Sequence, residues 1–370
     1  MSQVQPGPKN GPRWLPGGKL PVVEGFIIAA VVGVLAVGFA YAGGWLDPGR
    51  LTPARIINSL EAHDGLHPSF RRAHAKGICA TGYFEGNGQA VRLSKAPVFE
   101  KGQTPIIGRF STGGGQPYAP DGRIVFHSMA LQFKQRNGEE WRTAMDDTPI
   151  FPVATPSAFL DLQRDTAPDP TTGKPDPKRV AAYLAAHPET VAFMKYIQQA
   201  PLPSSFANGT YYSINAFRFT NAAGEMHFVR WWFEPETAFE SLDKSKLASL
   251  GNNFLFDELA TRLGQGPLRW HLILALAAPG DPVNDATKEW PADRERVDAG
   301  TLVLDHVSSE DDGPCNGVNF DPLILPVGIA ASDDPLLPAR SAAYSVSFTR
   351  RAGEAPQPSK IQVPAEGAAK

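Results

Sequence analysis

A guanidinium and a phenol stand four residues apart near the C-terminal end of the sequence, at Arg340 and Tyr344. On a helix, this spacing places both side chains on one face. A guanidinium held against a phenol favours the phenolate form, and a phenolate is a candidate axial ligand for ferric haem iron. The same spacing also fits an ordinary helix whose arginine and tyrosine bind nothing, so the pair alone leaves both interpretations open.

A histidine lies within a cluster of cations earlier in the chain, where residues 71–77 read RRAHAKG. An imidazole, with an ordinary pKa of about 6.5, can take up a proton and return it within one reaction. Residues 108–112, GRFST, add an arginine and a serine at the end of a predicted strand. Taken alone, the first segment also fits a solvated basic loop, and the second fits a strand end with no function.

Together, the ordered segments of this chain resemble the catalase family. The matching segments follow one another as RRAHAKG, GRFST, DDTPIFPV with Phe159 downstream, and RSAAY. The resemblance extends over residues 51–351, and several motifs in family order are more specific than any one of them. The chain stops soon after the predicted tyrosine helix, without the long arm and C-terminal domain of many catalases. It is therefore similar to the short catalase-related peroxidase branch, here with an N-terminal membrane segment.

The resemblance implies a catalytic role for three residues on the distal side of a haem. His74 matches the distal histidine that handles the peroxide proton, and Ser111 matches the serine that hydrogen-bonds this histidine and orients its ring. Asp147 stands where the family has an asparagine, just before Thr-Pro. An asparagine donates a hydrogen bond to peroxide, whereas an ionised aspartate only accepts one. Three alternatives stay open: Asp147 is held protonated beside the haem, turns away from it, or takes part in proton transfer.

The resemblance also implies the residues that hold the cofactor, a haem b with its iron. Tyr344 matches the proximal tyrosinate, the ligand to the metal, and Arg340 matches its charge partner. The residues implied to contact the haem are Arg71, Arg109, Phe159, Arg340, Tyr344 and Arg351. Of these, Arg71, Arg109 and Arg351 match the arginines that bind the propionates. Arg72 departs from the small apolar residues that are common before the distal histidine, and we expect it to point outward.

Antiparallel strands must position these residues, because several strand-like runs follow one another with short turns. The predicted strands cover residues 77–84, 105–111, 123–133, 211–220, 226–233, 268–276 and 301–307. Thr52 and Pro53 begin a short amphipathic helix that ends near residue 64, and further helices are predicted at 156–164, 180–199 and 257–263. Residues 165–178 are predicted to form a surface loop. The sequence thus predicts an α+β fold, in which helices pack on an antiparallel β-barrel and the haem lies between them.

Composition excludes several classes of protein. The 370 residues carry a formal net charge of −3, which gives no electrostatic footprint for binding nucleic acid. The 35 glycines and 35 prolines indicate a loop-rich fold rather than a helix bundle. Two cysteines cannot form a disulfide framework or a four-thiolate metal site. Cys79 and Cys315 are far apart in the sequence, so nothing local pairs them.

The two ends of the chain differ from the middle. We predict a basic, disordered leader at residues 1–24, a transmembrane anchor or signal at 25–45, the haem domain at 46–351 and a disordered tail at 352–370. Residues 25–44 carry no charge and are long enough to cross the roughly 30 Å core of a bilayer as a helix. The basic leader predicts a cytoplasmic N-terminus and an exported domain. Cleavage after residue 42 would instead release a secreted or periplasmic soluble protein.

These observations predict a membrane-anchored haem peroxidase whose catalytic domain lies on the periplasmic or extracellular side. Its substrates are expected to be hydrogen peroxide or organic hydroperoxides, reduced by an organic electron donor, with weak catalase activity. Two alternatives stay open: an enzyme that rearranges hydroperoxides on the same haem, and a haem-binding or storage protein with little turnover. The sequence does not decide whether the chain forms a homo-oligomer.

Overall fold

The computed structural model describes residues 22–47, 50–123 and 126–363. The chain divides into two compact units, residues 1–52 and 53–370. The first unit contains helix α1 (Val22–Ala42). Within it, Val23–Ala42 is apolar and long enough to cross a membrane, and its side chains are exposed. Length and composition do not distinguish such an anchor from a signal sequence. The predicted leader lies mostly outside the described residues.

The second unit contains the remaining helices and all the described strands. In chain order, they are α2 (Pro53–Asp64), β1 (Gly77–Gly86), β2 (Gly102–Thr112), β3 (His127–Lys134), β4 (Glu140–Asp146), α3 (Pro156–Thr166), α4 (Pro177–Ala186), α5 (Pro188–Gln199), β5 (Tyr211–Tyr212), β6 (Phe217–Thr220), β7 (Met226–Pro235), α6 (Phe254–Leu263), β8 (Leu268–Leu276), β9 (Arg296–Ser308), β10 (Ile329–Ala331) and α7 (Leu336–Ala352).

The strands form a closed antiparallel barrel. Among the described residues, eight strands follow the order β7-β5-β4-β3-β2-β1-β9-β8, and β8 pairs again with β7 to complete the circle. Strands β6 and β10 extend the sheet from β7 as a branch. Closure satisfies the backbone groups that an open sheet would leave at its edges. The prediction of an α+β fold built on an antiparallel barrel is confirmed.

Aromatic side chains fill the barrel interior. Trp141 on β4 stacks on Phe133 of β3 with ring centroids 4.6 Å apart, and it meets Trp231 of β7 at 5.1 Å. Successive side chains of a strand point to opposite faces. On β4, the buried residues 141, 143 and 145 therefore alternate with residues 142, 144 and 146, which are only partly buried. Every second side chain of β2–β4 is thus available on the outer face, against which the helices lie.

Two predicted elements are interrupted in the structure. The helix predicted at 180–199 is divided into α4 and α5, because Pro188 lacks an N–H and its ring disfavours a continuous helix. The strand predicted at 211–220 is divided into β5 and β6. Ile214 has a φ of +65° between them, a left-handed conformation that breaks the extended backbone. Strand β4 was not predicted, although it carries a residue of the candidate site.

The fold brings the two cysteines together. Cys79 on β1 and Cys315 form a disulfide whose Cα atoms lie 5.3 Å apart, across a sequence separation of 236. Both residues are fully buried and pack with Val318 and Phe320 on the outer face of the barrel. A bridge that closes so long a loop restricts the unfolded chain and is worth on the order of 5 kcal/mol in the loop-entropy picture. Because the two cysteines are so far apart in the sequence, their pairing was not predicted.

The segment after α7 packs on the domain, which contradicts the predicted disorder for residues 353–363. Glu354 accepts a hydrogen bond from the backbone N–H of Ser69 at 2.7 Å and pairs with Arg72. The backbone N–H of Ser359 donates to Asp311 at 2.9 Å, and Ile361 is buried. These contacts offset the conformational entropy that the segment loses when it becomes ordered. Residues 364–370 lie outside the described residues.

Candidate active site

A cavity of about 640 Å³ lies on the outer face of the barrel, next to helices α2, α3 and α7. Its strand side carries residues of β2–β4 and the segment before β1, and its helix side carries residues of α7. Nearly all of the predicted site residues line it: Arg71, His74, Arg109, Ser111, Phe159, Arg340, Tyr344 and Arg351. Asp147 is the exception. The fold therefore collects side chains that span most of the domain sequence.

A hydrogen-bonded chain on the strand side ends at His74. The Nδ1 atom of His74 lies 3.0 Å from Oγ of Ser128, and that hydroxyl donates to Oδ1 of Asp146 at 2.5 Å. Ser128 on β3 and Asp146 on β4 are direct cross-strand partners, which explains their contact. His74 itself has a φ of +54°, a left-handed conformation that costs free energy for a residue with a Cβ. We call these three residues the distal chain.

The surroundings of His74 disfavour its charged form. Burial lowers the pKa of His74, the carboxylate of Asp146 acts in the opposite direction, and the guanidiniums of Arg109, Arg340 and Arg71 lower it further. The net pKa is below the ordinary value, so the imidazole is neutral near pH 7. A neutral imidazole is able to accept a proton.

The structure corrects the predicted role of Ser111. We expected its hydroxyl to orient the ring of His74, but the hydrogen bond to Nδ1 comes from Ser128. Ser111 on β2 is the cross-strand partner of Ser128, and its side chain lines the same cavity. The two serines occupy neighbouring positions on the outer face, and the one on β3 reaches the imidazole. The family motif marks Ser111, whereas the hydrogen bond to His74 comes from Ser128.

Asp147 turns away from the cavity, the second of the three alternatives. One step along the chain reverses the side-chain direction, so Asp146 faces the cavity and Asp147 faces the barrel interior. There its Oδ2 lies 3.4 Å from Nδ1 of His127, and its Oδ1 accepts the backbone N–H of His127 at 2.9 Å. Burial raises the pKa of Asp147 well above its ordinary value and lowers that of His127 to about 4. His127 is therefore neutral near pH 7, and burial favours the neutral form of Asp147.

Arginines cluster at one end of the cavity around a carboxylate that sequence analysis missed. Arg109 donates to both oxygens of Glu310, through Nε at 3.0 Å and Nη2 at 2.9 Å, and Arg71 pairs with the same carboxylate. Burial and repulsion from Arg109 and Arg351 lower the pKa of Arg71. Gly77 makes room for the cluster, since a Cβ there would lie 2.3 Å from Nη2 of Arg109. Glu310 thus neutralises one of the three guanidiniums.

A second chain of hydrogen bonds, which also ends at a carboxylate, supports the helix side of the cavity. Asp334 accepts a hydrogen bond from the amide of Asn215 at 2.8 Å, and the Asn215 carbonyl accepts one from Arg340 Nη1 at 2.5 Å. Arg340 also donates to the carbonyl of Ala144 at 3.0 Å. Arg340 and Tyr344 line the cavity from one face of α7, as their spacing predicts. We call Asp334, Asn215 and Arg340 the proximal chain.

Apolar side chains form much of the remaining wall. Phe159 on α3 stacks on Phe151 with ring centroids 6.1 Å apart and an interplanar angle of 18°. Ile56, Ile57 and Leu60 of α2 also line the cavity. Apolar walls with a few convergent polar groups are typical of small-molecule and cofactor sites.

Sequence comparison agrees with this arrangement. The sequence profile of the catalase family matches residues 51–366. The chain belongs to the catalase family. A catalase-related peroxidase of Synechococcus elongatus is 36% identical over 324 residues, which cover 88% of this chain and 94% of that protein. A catalase-related peroxidase of Mycolicibacterium paratuberculosis is 33% identical over 306 residues, which cover 82% and 96% respectively. The resemblance to the short branch of the family is confirmed.

Solved catalase structures share the fold of this catalase-family chain. A fungal catalase matches with a TM-score of 0.68 at 22% identity, over 77% of this chain and 60% of the fungal one. A bacterial catalase matches with a TM-score of 0.66 at 22% identity, over 80% and 64%. At this level of identity, the likeness concerns the barrel and its helices.

The residues of the cavity fit the haem that catalase-family membership implies. Tyr344 supplies a phenol on the helix side, and His74 supplies an imidazole on the strand side. Three guanidiniums, of which Glu310 neutralises one, leave two positive charges for the two carboxylates of a haem. The volume lies within the usual range of cofactor sites, roughly 300–1,000 Å³.

Five polar residues of this catalase-family site were not predicted from the sequence: Ser128, Asp146, Asn215, Glu310 and Asp334. They lie outside the quoted motifs or, like Asp146, beside the residue that the motif singled out. A prediction of β4 would have placed residues 144 and 146 on one face and residue 145 on the other. Arg72 was also misjudged: its side chain is 3% exposed and pairs with Glu61 and Glu354.

Proposed function

We propose that this chain is a haem-dependent peroxidase that uses haem b, reduces hydrogen peroxide or organic hydroperoxides with an organic donor, and has weak catalase activity. The observation that carries the proposal is the meeting of His74, Tyr344 and an arginine cluster in one cavity. The relatives named catalase-related peroxidases match nearly their whole length and agree with it.

The residues have separate tasks in this mechanism. Tyr344 would hold the iron, and Arg71, Arg109 and Arg351 would bind the propionates through charge-assisted hydrogen bonds. The haem, when bound, supplies the redox chemistry that cleaves the O–O bond and later accepts electrons from the donor. His74 takes a proton from one peroxide oxygen and returns it to the departing oxygen, which leaves as water or an alcohol.

The wall of the cavity favours an organic partner in at least one half of the reaction. Phe151, Phe159 and the isoleucines of α2 give an apolar surface beside the polar groups of the strand side. Burying the alkyl part of a hydroperoxide or a donor against this surface is favourable by about 25 cal/mol per Å². Hydrogen peroxide gains nothing from it.

We further propose that helix α1 anchors the chain in a membrane and that the haem domain lies on its exported side. The buried disulfide supports this location, because disulfides persist in oxidising compartments and are rare in the cytosol. Fractionation of cells and protease protection of the domain test the location. Light scattering of the detergent-solubilised chain tests for a homo-oligomer.

The absorption spectrum of the purified chain tests the proposed function. We expect a high-spin ferric spectrum of phenolate type that changes on addition of hydrogen peroxide and returns when a phenolic donor is added. Rapid release of dioxygen without donor oxidation would show a catalase instead. Conversion of a fatty-acid hydroperoxide to an epoxide without a reductant would show rearrangement, and bound haem without any reaction would show a storage protein.

A further inference from the structure

We propose that Asp146 is a positioning residue that acts through Ser128 to fix the tautomer of His74 and to strengthen it as a base. The role in peroxide chemistry rests on the proposed function, whereas the effect on the imidazole does not. Ser111 and Asp147, which the sequence motifs marked as catalytic beside His74, take no part in the distal chain.

The hydrogen-bond geometry determines the tautomer. The Ser128 hydroxyl has one proton, and a carboxylate has only acceptors. Since Ser128 donates its proton to Asp146 at 2.5 Å, its oxygen is left to accept a hydrogen bond from Nδ1 of His74 at 3.0 Å. Nδ1 must then carry a proton, and Nε2 keeps the lone pair that accepts a proton from peroxide.

The charges around His74 indicate what the carboxylate of Asp146 does. The charged groups that face the buried imidazole are Arg109, Arg340 and Arg71, which oppose its protonation, and Asp146, which favours it. Without Asp146, burial and three guanidiniums would act on the imidazole unopposed. Its acceptance of a proton during the reaction would then become less favourable. The carboxylate therefore stabilises the imidazolium that forms when His74 works as a base.

The strand register supplies matched variants. Asp146→Asn and Ser128→Ala break the distal chain at its two links. Ser128→Thr keeps a hydroxyl at the same position. Asp147→Asn is a control that removes a carboxyl next in sequence but on the interior face, against His127. If Ser128→Ala fails to fold, the comparison of Asp146→Asn with Asp147→Asn still tests the proposal.

The first readout is the titration of His74 by ¹⁵N NMR in the haem-free, full-length chain in detergent, with His74→Gln to assign its signals among the eight histidines. We expect the Nδ1–H tautomer in the parent. In Asp146→Asn and Ser128→Ala, His74 should protonate at a pH lower by roughly one unit, while Ser128→Thr and Asp147→Asn match the parent. An unchanged titration in Asp146→Asn would overturn the proposal.

The second readout is the rate of the reaction with hydrogen peroxide against pH in the haem-loaded chain. We expect Asp146→Asn to lower the plateau rate about tenfold, the change that one pH unit of lost basicity represents, and to move the acid limb to lower pH. A parental profile in Asp146→Asn would overturn the proposal. If the parent does not react with peroxide but the NMR shift is present, the proposed function fails and the positioning role stands.

Discussion

Two carboxylate-ended chains support the cavity from its strand side and its helix side. The distal chain joins Asp146 through a hydroxyl to the imidazole of His74. The proximal chain joins Asp334 through the amide of Asn215 to the guanidinium of Arg340. Each has a carboxylate, a neutral link and a nitrogen-containing group that faces the cavity.

The neutral links make the two chains different in function. A hydroxyl and an imidazole both donate and accept hydrogen bonds, so the distal chain can rearrange when a proton arrives or leaves. An amide presents fixed donors and a fixed acceptor, and a guanidinium never loses its proton in a protein. The distal chain is thus suited to moving a proton, and the proximal chain to holding a positive charge beside Tyr344.

The largest expected effect comes from removing the phenol on the helix side. Tyr344→Phe should abolish stable haem incorporation or change the spin state of the iron, because no other phenol takes its place on α7. The haem-to-protein ratio and the absorption spectrum measure this. Tyr118→Phe, at an exposed tyrosine outside the cavity, is the control. A parental spectrum in Tyr344→Phe would exclude Tyr344 as the axial ligand.

The next largest effect falls on the strand side. His74→Ala should retain haem and slow the peroxide reaction roughly 100- to 10,000-fold, the usual contribution of a general acid–base group. Stopped-flow absorption after mixing with hydrogen peroxide measures the rate. His271→Ala, at a partly exposed histidine of β8 outside the cavity, should react like the parent. An unchanged rate in His74→Ala would refute its role as the base.

Breaking the proximal chain should affect stability more than reaction. Asn215→Ala leaves the buried Asp334 without one of its donors, at a cost of about 1–3 kcal/mol in the free energy of unfolding. Urea denaturation measures this cost, with Asn137→Ala in an exposed turn as the control. We expect the pH profile of the peroxide reaction to keep its shape. A displaced profile would mean that protons also move on the helix side.

The buried histidine of the interior pair should give the smallest effect, on stability alone. His127 has a pKa of about 4 in the folded chain against about 6.5 when unfolded. The unfolded state therefore binds this proton first, and the contribution of His127 to stability falls by about 2 kcal/mol between pH 7 and pH 5. The raised pKa of Asp147 acts on stability in the opposite direction, so the contribution of His127 is measured against a variant that lacks it.

Urea denaturation of the parent and of His127→Gln, which cannot titrate, at both pH values measures this contribution as a difference. Relative to the variant, the parent should be less stable at pH 5 than at pH 7 by about 2 kcal/mol. The same pH dependence in both proteins would mean that His127 makes no such contribution.

The sequence predicted the barrel and the positions that motifs mark, but not the residues that support them. His74, Tyr344 and the arginines stand in local patterns, and the structure brings them into one cavity. Ser128, Asn215 and Glu310 act through contacts between distant segments, which depend on strand register and on the path of the loops. We predicted that Asp147 lines the site, but the adjacent Asp146 does, so the prediction was wrong by one residue. A shift of one residue along a strand reverses its face, and a motif without the strand boundary does not fix that direction.

The disulfide also changes how the chain is connected. Cys79 and Cys315 close a covalent ring that contains β2–β9 and α3–α6, while His74 lies just before the ring and Tyr344 after it. A protease that cuts once inside the ring, for example in the exposed loop at residues 170–175, opens it without releasing a fragment. His74 and Tyr344 then stay on one covalently joined molecule. Only reduction of the bridge, or a cut between His74 and Cys79 or between Cys315 and Tyr344, separates them.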